Sequence, residues 1–300
     1  MQEIALACTG GGAKSAINIG VIRGLEELGI KITAISGASV GSCVAILYAM
    51  GYSPKEMLNM YEENIKDFSK FTLKDILLSF PNLMFRGGLK NPKIIEKSVI
   101  RNCKSGIVKM SDFKIPVVIP SMDITQRKTI YYSSKKLDEF SYYTDRNISE
   151  AIRSSCSFPI VFIPNKVKID NKFHHLMDGG ITANTPVVPL KQFSDFVIGL
   201  ETKYNGIKER QKINFFTMFT EGFQSMRRSA LLYQKREADL WIEIDVEKTK
   251  VFDSVEALEY CEELGYKAIK EVFNGNEIEE LKMGENNVFH YKESDNFYSM

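Results

Sequence analysis

The sequence lacks the features that mark several classes of protein. Its apolar runs fall well short of the roughly 20 residues that a membrane-spanning helix needs. The five cysteines are scattered, and no CxxC pair or cysteine–histidine cluster occurs, so neither a zinc site nor a disulfide framework is predicted. No basic stretch precedes the first apolar residues, as it would in a signal peptide. We therefore expect a reduced, cytoplasmic protein that uses no metal or other cofactor.

An excess of charge of one sign is also missing. Lysine and arginine total 39, aspartate and glutamate total 38, and the net charge is +1. Because nucleic-acid binders gain affinity by neutralising phosphates, this balance predicts no nucleic-acid partner. The 300 residues are 44% hydrophobic and 26% charged, which is typical of a globular chain with its own core and excludes a disordered or collagen-like one.

Strand and helix patterns alternate in the first part of the chain. An apolar run at 4–8 is followed by glycines and a helical pattern, and a second run at 32–36 is followed by another turn and helix. This repeated order predicts an α/β fold with a mostly parallel sheet. Residues 219–240 and 254–273 have the pattern of amphipathic helices.

The sequence contains no repeat, low-complexity tract or clear linker. We divide the chain into an α/β core over residues 1–200 and a helical C-terminal portion over residues 201–300. The second portion is expected to pack on the same domain as the first.

The first stretch that carries chemistry is Gly37-Ala38-Ser39-Val40-Gly41, which fits G-x-S-x-G. A serine on a sharp strand-to-helix turn needs neighbours without a Cβ, and the helix start favours developing negative charge. The pattern predicts Ser39 as a nucleophile. The alternative is a serine that merely caps a helix within a turn of small residues.

The second stretch is a run of three glycines, Gly10, Gly11 and Gly12, followed closely by Lys14. After a strand, such a run leaves consecutive backbone N–H groups able to bind an anion. That anion is either the oxyanion of an acyl-transfer intermediate or a phosphate. The Walker and Rossmann patterns fit this run poorly, but a nucleotide-binding protein stays open as the alternative. Lys14 either adds positive charge or is a solvated side chain.

The third stretch is Asp178-Gly179-Gly180, which follows a predicted strand. Asp-Gly is also a common hairpin signal. A serine nucleophile needs a proton acceptor, and besides Asp178 the chain offers few candidates. A triad would have to use one of the three histidines, His174, His175 and His290.

Taken together and in this order, the three stretches resemble the patatin-like phospholipases. Two further stretches are similar to that family, Ala151–Pro159 and Asn184-Thr185-Pro186. The resemblance covers about residues 4–190.

The resemblance implies a three-layer α/β/α fold and a lipid acyl hydrolase of the phospholipase A or lysophospholipase type. It makes Ser39 the nucleophile and Asp178 its sole partner, with Gly10, Gly11 and Gly12 around the oxyanion. Its substrates would be phospholipids or other lipid esters. A transacylase on the same site and a lipid-binding protein without turnover remain alternatives. The resemblance gives supporting places to Lys14, Gly37, Gly41, Gly179 and Gly180.

Two segments suggest peripheral contact with a membrane. Residues 71–89 are rich in apolar side chains and broken by Pro81 and by Gly87-Gly88, which fits either a lid that docks on lipid or a buried helix pair. Arg227-Arg228 and Lys235-Arg236 face either anionic lipid or solvent.

Overall fold

The computed structural model describes residues 2–68, 85–101, 107–203, 215–246, 254–274, 278, 281 and 288–292. The strands are β1 (Glu3–Cys8), β2 (Lys31–Gly37), β3 (Gly88–Lys90), β4 (Val117–Asp123), β5 (Lys128–Ser133), β6 (Tyr142–Tyr143), β7 (Ile160–Phe162), β8 (Asn165–Ile169), β9 (Lys172–Asp178), β10 (Val197–Lys203), β11 (Leu240–Asp245) and β12 (Val288–Tyr291). The helices are α1 (Ala16–Glu27), α2 (Val40–Ala49), α3 (Pro54–Phe68), α4 (Lys93–Arg101), α5 (Ile148–Ser155), α6 (Gly180–Ala183), α7 (Phe215–Glu237) and α8 (Val255–Val272).

Most of the strands form one sheet. Its order is β12-β11-β10-β1-β2-β4-β5-β6, and all neighbours from β12 to β4 are parallel. The parallel pairs follow from the helical crossovers between successive strands. β5 and β9 both run antiparallel to β4, and β8 pairs with β9.

Both faces of the sheet are covered. In β1, Ile4 and Leu6 belong to the core beneath α1 and α8, whereas Ala5 and Ala7 belong to a second core that includes Trp241. Strands buried on both faces are characteristic of a parallel sheet between two helical layers. The predicted three-layer α/β/α fold is confirmed.

The C-terminal portion contains the two predicted long helices, α7 and α8, but it also adds two strands to the sheet. Neither β11 nor β12 was predicted from the sequence, and the last residue of the predicted helix at 219–240 is the first of β11. Residues 240–244 are all buried, Glu243 included, so burial in β11 does not follow the alternation of apolar and polar residues at 242–245. β10 runs through residue 200, where the sequence-based division was placed.

The predicted lid at 71–89 lies largely outside the described residues, which resume at 85. Phe85 is 89% exposed, and Gly88 opens the short strand β3, which pairs with β7. Within the described part of the chain, no helix has both the length and the apolar character needed to cross a bilayer.

Helices α1 and α8 touch through glycines. A Cβ at Gly20 would lie 1.8 Å from the carbonyl oxygen of Glu262, and one at Gly265 would lie 2.1 Å from that of Ile17. The backbones of the two helices are therefore in direct contact, and the Arg23–Glu262 ion pair (2.8 Å) adds a link beside them.

We expect Gly20→Ala to destabilise the protein, because the new methyl group must push α8 away from α1. Overpacking of this kind costs about 1–3 kcal/mol, occasionally more. The matched control is Gly222→Ala in α7, where a Cβ would meet nothing within 4 Å and helix propensity predicts a gain of roughly 0.5–1 kcal/mol. Urea unfolding of both variants measures the difference; equal midpoints would contradict the contact.

Candidate active site

The site forms where two strands approach each other along β4. β2 runs parallel to β4, with Ser36 opposite Val118, whereas β9 runs antiparallel to it, with Asp178 opposite Ser121. The carboxyl ends of β2 and β9 therefore point toward each other along one edge of β4. Ser39 and Asp178, which lie far apart in the chain, are brought together by this arrangement.

Ser39 stands on a strained turn between β2 and α2. Its φ of 51° and ψ of −131° are unusual for a residue with a side chain and are typical of strain held at functional sites. A Cβ at Gly37 would lie 2.3 Å from the carbonyl oxygen of Gly41, and one at Gly41 would lie 2.6 Å from that of Thr9. Both glycines are thus required by close backbone contact. The Ser39 N–H donates to Ser155 Oγ at 3.1 Å.

Asp178 is buried at the end of β9, with 2% of its surface exposed. Its Oδ1 accepts the Gly180 N–H at 2.7 Å. Burial raises the pKa of Asp178 to about 6, while the Ser39 hydroxyl, the Gly180 N–H and the charge of Arg227 lower it. Among the described residues, no hydrogen bond reaches Oδ2, although the Ser39 hydroxyl is close enough to lower the pKa of the carboxyl.

The triglycine turn packs against the serine. A Cβ at Gly10 would lie 2.9 Å from the Ala38 carbonyl oxygen and 3.2 Å from Ser39 Cβ, so a side chain there would push the two turns apart. The Gly10 N–H is already used, because it donates to the Asn184 carbonyl at 3.1 Å. Gly12 has a φ of 63°, in the left-handed region that glycine adopts at little cost. Gly11 and Gly12, rather than Gly10, are therefore left to offer N–H groups to an anion.

The other predicted residues surround this centre. Lys14 lies in the 3₁₀ turn Gly12–Ser15, between the glycines and α1. A Cβ at Gly179 would lie 2.1 Å from the Pro120 carbonyl oxygen, so this glycine allows the chain to pass directly over β4. At Gly180, a Cβ would crowd the carboxyl of Asp178 at 2.9 Å.

The histidines are engaged elsewhere in the described structure. His174 is buried, with Nδ1 2.6 Å from Asp123 Oδ2. His290 Nδ1 lies 2.7 Å from Glu243 Oε2 on the far strands of the sheet. His175 is exposed, and its N–H donates to the side chain of Thr125. No hydrogen bond given for the described residues joins Ser39 to a histidine.

Sequence reasoning missed one charged residue of the site. Arg227 is on α7, where it was predicted to face lipid or solvent, but its Nη1 donates to Asn184 Oδ1 at 3.3 Å. Its charge also acts on Asp178. Helical spacing shows that Arg227 and Arg228 point in different directions, but it does not show which of the two points inward. Within the described ranges, no cluster of three or more metal-ligating side chains occurs.

Comparison with known proteins agrees with this geometry. The sequence matches the Patatin-like phospholipase family over residues 6–191, which include both turns and Asp178. The chain belongs to this family. Membership implies lipid acyl hydrolase activity, and it favours an ester hydrolase over a nucleotide-binding protein.

Individual proteins resemble this patatin-like chain in sequence or in fold. It is 30% identical to the uncharacterized protein YqhO of Bacillus subtilis, over 73% of this chain and 78% of that one. It is 27% identical to lysophospholipase NTE1 of Candida glabrata, over 63% of this chain but only 10% of the yeast protein. Among solved structures, VipD from Legionella pneumophila has the same fold, with a TM-score of 0.50 and 14% identity over 91% of this chain and 67% of VipD.

Since the pKa of Asp178 is raised from 3.8 to about 6, between these two values the folded protein binds a proton that the unfolded chain has released. The free energy of unfolding therefore falls as the pH rises through this window. Asp178→Asn avoids the cost of a buried charge, so we expect it to be more stable than the wild type above pH 6, by about 1–3 kcal/mol.

Urea unfolding at several pH values checks this prediction. The difference should disappear below about pH 4, where both side chains are neutral. Asp195→Asn, at an exposed position, is the matched control and should show little difference at any pH. An Asp178→Asn variant that is no more stable than the wild type at pH 8 would contradict the buried charge.

Proposed function

We propose that this protein hydrolyses carboxylic esters of lipids through a Ser39–Asp178 dyad and an acyl-enzyme intermediate. The main observation in support is that the strained turn of Ser39 after β2 lies beside the buried carboxyl of Asp178 at the end of β9. The family supports the class of reaction, and the local geometry supports the roles of the two residues.

In the first half of the reaction, Ser39 Oγ attacks the ester carbonyl carbon while its proton passes to the carboxylate of Asp178. The negative charge on the carbonyl oxygen is accepted by the N–H groups of Gly11 and Gly12. Well-aimed donors of this kind are each worth about 3–4 kcal/mol in the transition state. Asp178 then returns the proton to the leaving alcohol, and the acyl group stays on Ser39.

In the second half, water attacks the acyl-enzyme, Asp178 takes one of its protons, and that proton goes to Ser39 as the fatty acid leaves. Burial helps in both halves. A carboxylate with a pKa of about 6 is a stronger base than an ordinary aspartate, whose pKa is roughly 3.9, yet it is still mostly ionised at neutral pH.

We propose phospholipids or lysophospholipids as the substrates. We also propose that the protein contacts the membrane surface peripherally. Phe158 is 36% exposed and packs edge-on against Phe223 of α7, with ring centroids 5.1 Å apart. Phe158 follows Ser157, whose carbonyl accepts the Asp178 N–H at 3.1 Å. An aromatic pair beside the site, with one ring exposed and the other partly buried, suits an acyl chain better than a polar substrate.

Replacement of either member of the dyad should abolish turnover. We expect Ser39→Ala and Asp178→Asn to lower kcat for lysophosphatidylcholine by at least about a thousandfold, as in other nucleophile–base pairs. A fluorophosphonate probe should label wild-type protein on Ser39. Released fatty acid and the labelled peptide are measured by mass spectrometry.

Matched controls for these variants are Ser229→Ala and Asp195→Asn, both at exposed positions. They should keep wild-type rates. Full hydrolysis by the Ser39→Ala variant, or label on another serine, would overturn the assignment.

The pH dependence of kcat/KM should reflect the ionisation of a carboxyl group rather than that of a histidine. Since Asp178 must be ionised to act as a base, kcat/KM is expected to fall below about pH 6 with a single acid limb. The double variant His175→Ala/His290→Ala, which changes two exposed histidines, should keep both the rate and the limb. Loss of the limb in that variant would replace the dyad with a histidine-based mechanism.

A further inference from the structure

Arg227 reaches the site from α7, far along the chain from both Ser39 and Asp178. It lies on α7, beyond the residues that match the family. Its side chain is half-buried and turned toward the sheet, although Arg228 beside it is exposed. The pKa of Arg227 is lowered by burial and raised by the charges of Asp178 and Glu201, so the guanidinium is near enough to both carboxyl groups to interact with their charge.

The contact of Arg227 with Asn184 fixes the orientation of that amide. A guanidinium only donates hydrogen bonds, so it must face Asn184 Oδ1, which it reaches at 3.3 Å. The amide nitrogen then points the other way, where Nδ2 donates to Thr9 Oγ1 at 2.9 Å and to the Gly10 carbonyl at 3.3 Å.

Asn184 also holds the glycine turn through its backbone. Its carbonyl oxygen accepts the Gly10 N–H at 3.1 Å, so Gly10 is bound to Asn184 through both of its peptide groups. Gly10 in turn packs against Ser39. A continuous chain of contacts therefore runs from Arg227 through Asn184 to the turn that lies against the serine.

We propose that Arg227 is a positioning residue of the active site, which orients Asn184 against the Gly10 turn and places a positive charge near Asp178. The inference rests on the proposed function. Arg227 acts through other residues and through its charge, and it need not touch the substrate.

Several groups from different elements act on the carboxyl of Asp178. They are the Ser39 hydroxyl at the start of α2, the Gly180 N–H, the Cys156 thiol at the end of α5, and Arg227. Arg227 itself faces Asp178, Glu201 and Arg228. Because Arg227 lowers the pKa of Asp178, loss of its charge must raise that pKa.

A different role for Arg227 would be to bind an anionic headgroup. It lines a cavity of about 80 Å³ together with Arg228, but Glu201 and Glu221 line the same cavity, so the charged side chains of the lining give no excess of positive charge for an anion. A neutral, water-soluble substrate, p-nitrophenyl butyrate, separates the two roles. A headgroup site should not affect this substrate, whereas a positioning residue should.

The test compares Arg227→Met and Arg227→Lys with the matched control Arg236→Met, which changes an exposed arginine of the same helix. We expect Arg227→Met to lose at least tenfold in kcat with KM changed less than threefold, and to move the acid limb of kcat/KM upward by half a pH unit or more. Arg227→Lys keeps the charge and should return the limb to the wild-type position. Arg236→Met should match the wild type.

A second readout needs no activity. Because the charged Asp178 costs more without Arg227, Asp178→Asn should stabilise the Arg227→Met protein at pH 8 more than it stabilises the wild type. Circular dichroism confirms that each variant is folded. If Arg227→Met does not fold, the rate and acid limb of Arg227→Lys decide: wild-type values for both overturn the linkage through Asn184.

The outcomes are distinct. Wild-type protein that hydrolyses the ester, together with an Arg227→Met variant of unchanged kcat and pH profile, would overturn the inference and leave the proposed function standing. A change in KM alone would also overturn it. Wild-type protein that neither hydrolyses esters nor reacts with the fluorophosphonate would overturn the proposed function, while the unfolding readout would still test the charge.

Discussion

The site depends on the pairing of β4 with two strands that approach it from opposite directions. β2 and β9 share one edge of β4, and their carboxyl ends meet there. The registers are fixed by backbone hydrogen bonds within a buried sheet, so the distance between Ser39 and Asp178 does not depend on flexible side chains. Gly179 belongs to the same constraint, because any side chain there would strike the Pro120 carbonyl and lift Asp178 away from β4.

That rigid frame holds two features that are unfavourable by themselves. Ser39 has a positive φ, which costs about 1–3 kcal/mol for a residue with a side chain. Asp178 is buried with one oxygen lacking a well-placed donor among the described residues. Both are held in place by the surrounding sheet. In the proposed mechanism both would serve the chemistry, because the turn places Ser39 beside Asp178 and burial makes the carboxylate a stronger base. If the proposed function holds, the site gives up stability for activity, as active sites commonly do.

The parts of the site that could be predicted from the sequence are those where close backbone contact restricts the choice of residue. Gly37, Gly41 and Gly179 are needed wherever backbones touch, so their motifs are visible in the sequence itself. The strand–turn–helix order predicted the Ser39 turn and an α/β fold with a mostly parallel sheet, and the family resemblance implied the three layers. What the sequence did not reveal depends on tertiary context. In β11, Glu243 is buried together with its apolar neighbours. The hydrogen bond from the Gly10 N–H to Asn184 joins residues far apart in the chain, and the spacing of α7 does not indicate that Arg227 reaches Asn184.

The C-terminal portion of the chain also supports the candidate site. β10, which begins beyond the matched region, pairs directly with β1, the strand that leads into the glycine turn. α8 lies against α1, the helix that follows the same turn, at backbone contact through Gly20 and Gly265. α7 supplies Arg227. Elements beyond residue 191 thus support the strand before the glycine turn, the helix after it, and Asn184 beside it. Without those elements, β1 would become an edge strand of the sheet and α1 would lose its contact with α8.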